Sequence, residues 1–158
     1  QPHMEVLREK KLVGRNVTMS FARDKTKELW QQFMPGRNLI REVKGNDFYS
    51  VEIYPTGFFE QFDRNRCFQK WAAVEVNELS QLPAGMESLI LPTGLYAVFI
   101  HKGPASDGPK TYEYIFRQWL PTSLFSLDDR PHFALMGERY KQDHPDSEEE
   151  IWIPVKKI

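Results

Sequence analysis

The chain has 158 residues, 41% of them apolar and 13% aromatic, which is enough for one domain with a core of its own. A net charge of −1 argues against nucleic acid as the main partner, because the longest Lys/Arg cluster, Arg8 to Lys11, is short and interrupted by Glu9. One cysteine, Cys67, excludes an internal disulfide framework and suits a reducing cytoplasm, and no long apolar run or signal peptide implies membrane or export.

Gln1-Pro2-His3 before Met4 reads as an expression-vector remnant, which leaves 4–158 as a single domain. Leu12 to Phe21 alternates as a strand. Asn16-Val17-Thr18 within it matches a glycosylation acceptor, a chance match without a secretion signal. Asp24 caps a helix over Lys25 to Met34, with Trp30 as a core residue beneath it, and Pro35-Gly36 ends it. Leu39 to Val43 is ambiguous, Lys44 to Asp47 is a turn, and Phe48 to Tyr54 is a second strand. Pro55-Thr56-Gly57 breaks the chain, and Phe58, Phe59 and Phe62 follow in an irregular covering segment. Cys67 to Val76 is a third strand, with Cys67 a buried or edge thiol. Ser88 to His101 is a strand interrupted by Pro92-Thr93-Gly94, and Thr111 to Leu120 is a helix ended by Pro121. His132 to Tyr140 and the C-terminal segment complete the strands.

The order strand–helix–strand–strand occurs twice, over about 11–80 and 86–158. Leu29 to Pro35 aligns with Ile115 to Pro121 at an offset of 86, and Ala72 to Val76 falls opposite Glu149 to Ile153. Two thin halves of this kind are expected to pack as one α+β unit about a pseudo-twofold, with antiparallel sheets and two main helices. In that register Trp71 and Ala73 take the places of Glu148 and Glu150, so a shared cleft is aromatic on one side and acidic on the other.

The last strand carries the sharpest chemical signal. Side chains alternate across a strand, so Ile151, Ile153 and Val155 form a core face. Glu148, Glu150, Trp152 and Pro154 form the other, and a carboxylate beside a large aromatic ring suits a cationic or polarised organic ligand. A solvated acidic strand entrance is the plainer alternative. The histidines His101, His132 and His144 have no metal-ligand spacing and read as surface or loop residues. Nothing calls for a cofactor or a metal.

Leu95 to Gly103, Ile115 to Ser123, Arg130-Pro131-His132-Phe133 and Glu150 to Val155 together resemble the GyrI-like (gyrase-inhibitor-like) effector-binding domain. Multidrug-responsive transcription regulators of the AraC and MerR classes carry that domain beside a DNA-binding module. No helix-turn-helix precedes it here, so direct DNA binding is not expected. The resemblance implies an aromatic-walled pocket in which a buried glutamate meets cationic or polarised ligands. That glutamate would be Glu150, or Glu148 on the same face, framed by Trp71, Trp152, Tyr96, Trp119 and Tyr54. Family members often carry an acidic residue just after the Arg-Pro-x-Phe motif, where this chain has Ala134. Glu52 and Glu75 are candidate substitutes.

Three function classes follow from the resemblance. One is a stand-alone module that binds hydrophobic or cationic organic compounds, for sequestration or sensing. A second is a hydrolase of cyclopropane-bearing electrophiles, with Glu150 activating water. A third is a protein-interaction role such as gyrase inhibition, and haem binding ranks last. Mass spectrometry separates binder from hydrolase, since a binder leaves its compound intact. In the pocket reading, Glu150→Gln is expected to weaken binding of lipophilic cations and to spare neutral analogues.

Overall fold

A computed structural model describes residues 1–158. Its strands are β1 (His3–Leu7), β2 (Lys10–Met19), β3 (Phe48–Ile53), β4 (Phe68–Val76), β5 (Glu87–Leu91), β6 (Gly94–Lys102), β7 (Phe125–Leu127), β8 (His132–Met136) and β9 (Glu148–Lys157). Helix α1 (Thr26–Phe33) follows β2. A second helical block runs from α2 (Gly108–Tyr114) through a π-helical turn (Ile115–Trp119) to α3 (Leu120–Thr122). The strands form an antiparallel sheet in the order β1-β6-β9-β8-β3-β4-β2-β5, with β7 paired to β9 off this path. The fold is α+β, as the sequence predicts.

The sheet order is symmetric about the central pair β8 and β3. Val51 lies opposite Phe133 there, Trp71 opposite Val51, and Trp152 opposite Phe133, so one row crosses the dyad. The leading strands are exchanged between the halves. β1 precedes the first repeat but pairs with β6 of the second, and β5 precedes the second but pairs with β2 of the first. Neither half keeps its own edge strand. β1 includes His3, which the sequence reading had set apart.

This register differs from the one read from sequence. Val51 to Phe133 and Glu52 to Ala134 are symmetry mates, and the helices start at matching positions, Thr26 and Gly108. Trp71 is therefore the mate of Trp152 and not of Glu148. Each indole Nε1 donates to the residue two before it on its own face, Gln69 Oε1 at 2.7 Å and Glu150 Oε1 at 2.9 Å. The two prolines are not equivalent: Pro35 opens the 3-10 helix Met34–Leu39 that follows α1, whereas Pro121 lies inside the last turn of the second helical block, so matching them shifts the helices by four residues.

α1 packs Leu29 and Phe33 against Val13, Ala72, Val74 and Val76. Fully burying a Phe side chain such as Phe33 is worth roughly 1.5–3 kcal/mol. The second helical block packs Ile115, with Trp119, on Ala97, Phe99, Ile151, Ile153 and Val155. The opposite face of the sheet curls in on itself. Leu7, Leu12 and Leu91 from its edges join Tyr49, Trp71, Tyr96, Phe133 and Trp152 from its middle in one core. Arg130 ties this core to its rim, donating to the carbonyls of Leu95 (2.6 Å) and Val155 (3.2 Å) and to Asp128 (2.8 Å). The Tyr96 hydroxyl donates to the carbonyl of Pro131 at 2.7 Å. The Arg-Pro-x-Phe motif is thus a staple.

A Cβ on Gly14 would stand 2.0 Å from the carbonyl oxygen of Ala72 on the paired strand. Gly14→Ala is expected to destabilise the fold by about 3 kcal/mol, read from urea unfolding. Gly108 has φ −51° and open space around its Cβ position. Gly108→Ala is expected to gain up to about 1 kcal/mol in the same measurement.

Candidate functional site

The two helical blocks cover the flanks of the sheet and leave the helix-side residues of β3 and β8 between them. Among those residues are Ser50, Glu52, His132 and Ala134, and Glu52 sits opposite both Lys70 of β4 and His132 of β8. Lys70 Nζ donates to Glu52 Oε2 at 2.5 Å, with 14% and 6% of the two side chains exposed. An ion pair at that depth persists because its short, charge-assisted hydrogen bond offsets the loss of hydration.

Glu149 of β9 faces the same side, opposite His101 of β6. It is half-buried, and its carboxylate makes no hydrogen bond or ion pair within the chain. Burial raises its carboxyl above the usual range, Glu52 adds to this, and His101 and Lys70 act against it. His101 is buried, with Nε2 2.9 Å from the Pro104 carbonyl and Nδ1 2.7 Å from Thr111 Oγ1. A carbonyl only accepts, so Nε2 carries a hydrogen, while the Thr111 hydroxyl can serve Nδ1 as donor or acceptor. The Tyr112 hydroxyl is held well above its ordinary pKa by burial and by Glu52 and Glu149. Tyr54 is raised by burial, then by Glu52 and Tyr112. Glu52, Glu149, Tyr54 and Tyr112 therefore share one electrostatic neighbourhood.

An aromatic segment covers this groove. The Phe58 amide donates to the Pro55 carbonyl (3.0 Å), and Gly57 takes φ +74° in the turn, which delivers Phe58 and Phe59 to the sheet. The Phe59 ring stacks on Phe116 of the π-helical turn, centroids 4.7 Å apart at 13°. It also stands edge-on to Tyr54 at 4.8 Å and lies 5.8 Å from His132. His132, 5% exposed, is boxed by Tyr54, Phe59 and Phe116, and its ring makes no hydrogen bond to the rest of the chain. Burial, followed by the nearby Arg130, lowers its pKa to about 3.

The residues expected from sequence divide between the two faces. Trp71, Tyr96 and Trp152 lie inside the curl, where Trp152 stacks on Phe133 at 5.2 Å and meets Tyr96 at 5.7 Å. Glu150 and Glu148 share that side, Glu150 bound to the Trp152 indole and Glu148 to Arg139 at 3.3 Å. Glu75 is there too, held by the Tyr49 hydroxyl and Lys10. Trp119 packs edge-on to Phe99 at 5.1 Å, under the second helical block. Tyr54 is in the groove. The surface or loop reading of the histidines holds for His144 alone, since His101 and His132 are buried, and Cys67 is exposed. Glu149, Lys70, Tyr112, Phe59 and Phe116 were not singled out as site residues. The alternation that put Glu149 beside Ile151 was visible, but that face reads as plain core until the gap between the helices is known. Glu52, which the sequence left unplaced, is the symmetry mate of Ala134.

The buried imidazole has an acid-stability consequence. With the folded pKa near 3 and the unfolded one near 6.5, the unfolded chain binds the extra proton between those values. Stability from this group is complete above about pH 6.5 and declines as pH falls towards 3. His132→Gln is expected to flatten that limb in thermal melts, and an unchanged slope would show that the ring is not held neutral.

The chain matches the GyrI-like small molecule binding domain family over residues 1–156. It is 27% identical over 145 residues to the transcriptional regulator BrlR of Pseudomonas aeruginosa, covering 91% of this chain and 51% of BrlR, so it spans about half that regulator's length. Among solved structures, SAV2435 bound to tetraphenylphosphonium superposes with a TM-score of 0.72 at 18% identity, covering 99% of this chain and 94% of that one. The C-terminal domain of EcmrR superposes at 0.70 with 19% identity, over 100% and 98%. The fold and the family match agree: the chain belongs to the GyrI-like small molecule binding domain family.

Proposed function

We propose that the groove between the helical blocks binds lipophilic organic cations, and that Glu149 is the carboxylate that meets the positive charge. The observation that carries this reading is the state of Glu149, half-buried and without a partner beside Tyr112 and the aromatic box. Desolvation disfavours its charge, and a cation placed against it restores the ionised form. The rings of Tyr54, Tyr112, Phe59 and Phe116 supply apolar and π surface for an aryl-substituted cation, and each cation–π contact adds roughly 0.5–2 kcal/mol. His132 offers a neutral ring for a polar substituent. SAV2435, which shares the fold, is seen with tetraphenylphosphonium, a cation of this chemical type.

Glu150 is the alternative carboxylate, on the inner face. It already accepts from the Trp152 indole, and the rings around it are packed against each other. Access to the groove requires Phe59 to leave Phe116.

Titration with tetraphenylphosphonium and with neutral triphenylphosphine oxide separates the two carboxylates. Glu149→Gln is expected to weaken the cation about tenfold and leave the neutral compound unchanged, while Glu150→Gln alters neither. A reversed pattern would move the site inside the curl. The cation prefers ionised Glu149, whose pKa is raised. Affinity should therefore fall with decreasing pH from above the normal carboxylate range, and Glu149→Gln should abolish that dependence.

A further inference from the structure

We infer that Lys70 is a tethered counter-ion that limits the groove to ligands of a single positive charge, an inference that rests on the groove being the ligand site. Glu52 and Glu149 bring two carboxylates to the groove, and Lys70 neutralises one of them directly. His132 is buried in an aromatic box, and His101 lies between the Pro104 carbonyl and the Thr111 hydroxyl. With Glu149 ionised against a bound cation, Glu52, Lys70 and Glu149 together carry one negative charge, and it belongs to Glu149.

The fold does not need this ion pair. Glu52 and Lys70 are cross-strand partners on β3 and β4, and their symmetry mates are Ala134 and Ile151, cross-strand partners on β8 and β9. The second half fills the same two places with a methyl and a butyl group, both buried. Apolar replacement of a buried ion pair is commonly neutral or stabilising, so a pair kept on one side of a dyad only is best explained by what it faces. It faces the groove that also holds the unpartnered imidazole of His132. An ammonium placed there fills the seat a second ligand charge would take, and it repels a dication.

Ethidium and propidium share one phenanthridinium ring and carry one and two positive charges, so their affinity ratio reads the groove's charge with ring stacking held constant. Four full-length proteins set that charge in steps. Glu52→Gln leaves no net charge, the wild type one negative charge and Lys70→Met two, while the double variant Glu52→Gln/Lys70→Met returns to one. The propidium-to-ethidium affinity ratio from fluorescence titration is expected to rise about tenfold in Lys70→Met. It should fall by a similar factor in Glu52→Gln and return to the wild-type value in the double variant. If Lys70→Met does not fold, the step from Glu52→Gln to the double variant carries the same charge change and is expected to show the same rise. A ratio constant across the folded proteins overturns the counter-ion while leaving the ligand site standing. Failure of the wild type to bind either dye overturns the site and the counter-ion together.

Discussion

The pairing of β3 with β8 is the constraint on which the rest of the molecule depends. It joins the halves along the dyad and puts the sheet's centre at the greatest distance from both helical blocks. α1 packs on the apolar stripe of β2 and β4 and the second block on that of β6 and β9, and each meets the central strands through a ring, Trp30 on Phe48 and Phe116 on His132. Helix-side residues between these contacts are released from packing against a helical stripe. They are small or polar there, Ser50, Glu52, His132 and Ala134, and a groove with chemistry in its floor results.

Burial on both faces of the sheet explains what was legible and what was not. Most strands, both helices, the duplication and the fold class can be read from alternation, helical spacing and turn residues. β1 escaped because a short exposed edge strand has little alternation to show. For β9 the alternation correctly put Glu149 and Glu150 on opposite sides, yet it carries no label for which side opens onto a groove. The Trp beside Glu150 looks like a ligand's ring and is instead committed to a row of packed aromatics across the dyad. Glu149 shares its strand face with Ile151 and Ile153 and lies near Tyr112 in space, a proximity that depends on the placement of the second helical block.

The groove separates charge from aromatic surface with few residues. Glu52 is silenced by Lys70, while the carboxyl of Glu149 is left without a partner under partial burial. In the proposed site, the aromatic segment from Phe58 to Phe59 is a resident occupant, with the Phe59 ring stacked on Phe116 and close to His132. Such a cover limits the exposure of apolar surface in the free protein, and it exchanges one stacking partner for another when it yields.

Duplication supplies a backbone in two copies, and chemistry enters where the copies disagree. Trp71 and Trp152 agree, and each has an acceptor two residues before it, which marks them as parts of the shared scaffold. Ser50 and His132 disagree, as do Glu52 and Ala134, and these differences lie together on the helix side of the dyad. A symmetric groove would offer two equivalent half-sites to any ligand. Breaking the symmetry at these positions puts Glu52, Lys70 and His132 in one cross-strand row and leaves the small residues Ser50 and Ala134 in the next, so the two ends differ. A ligand with distinct ends can then lie in it in one orientation only.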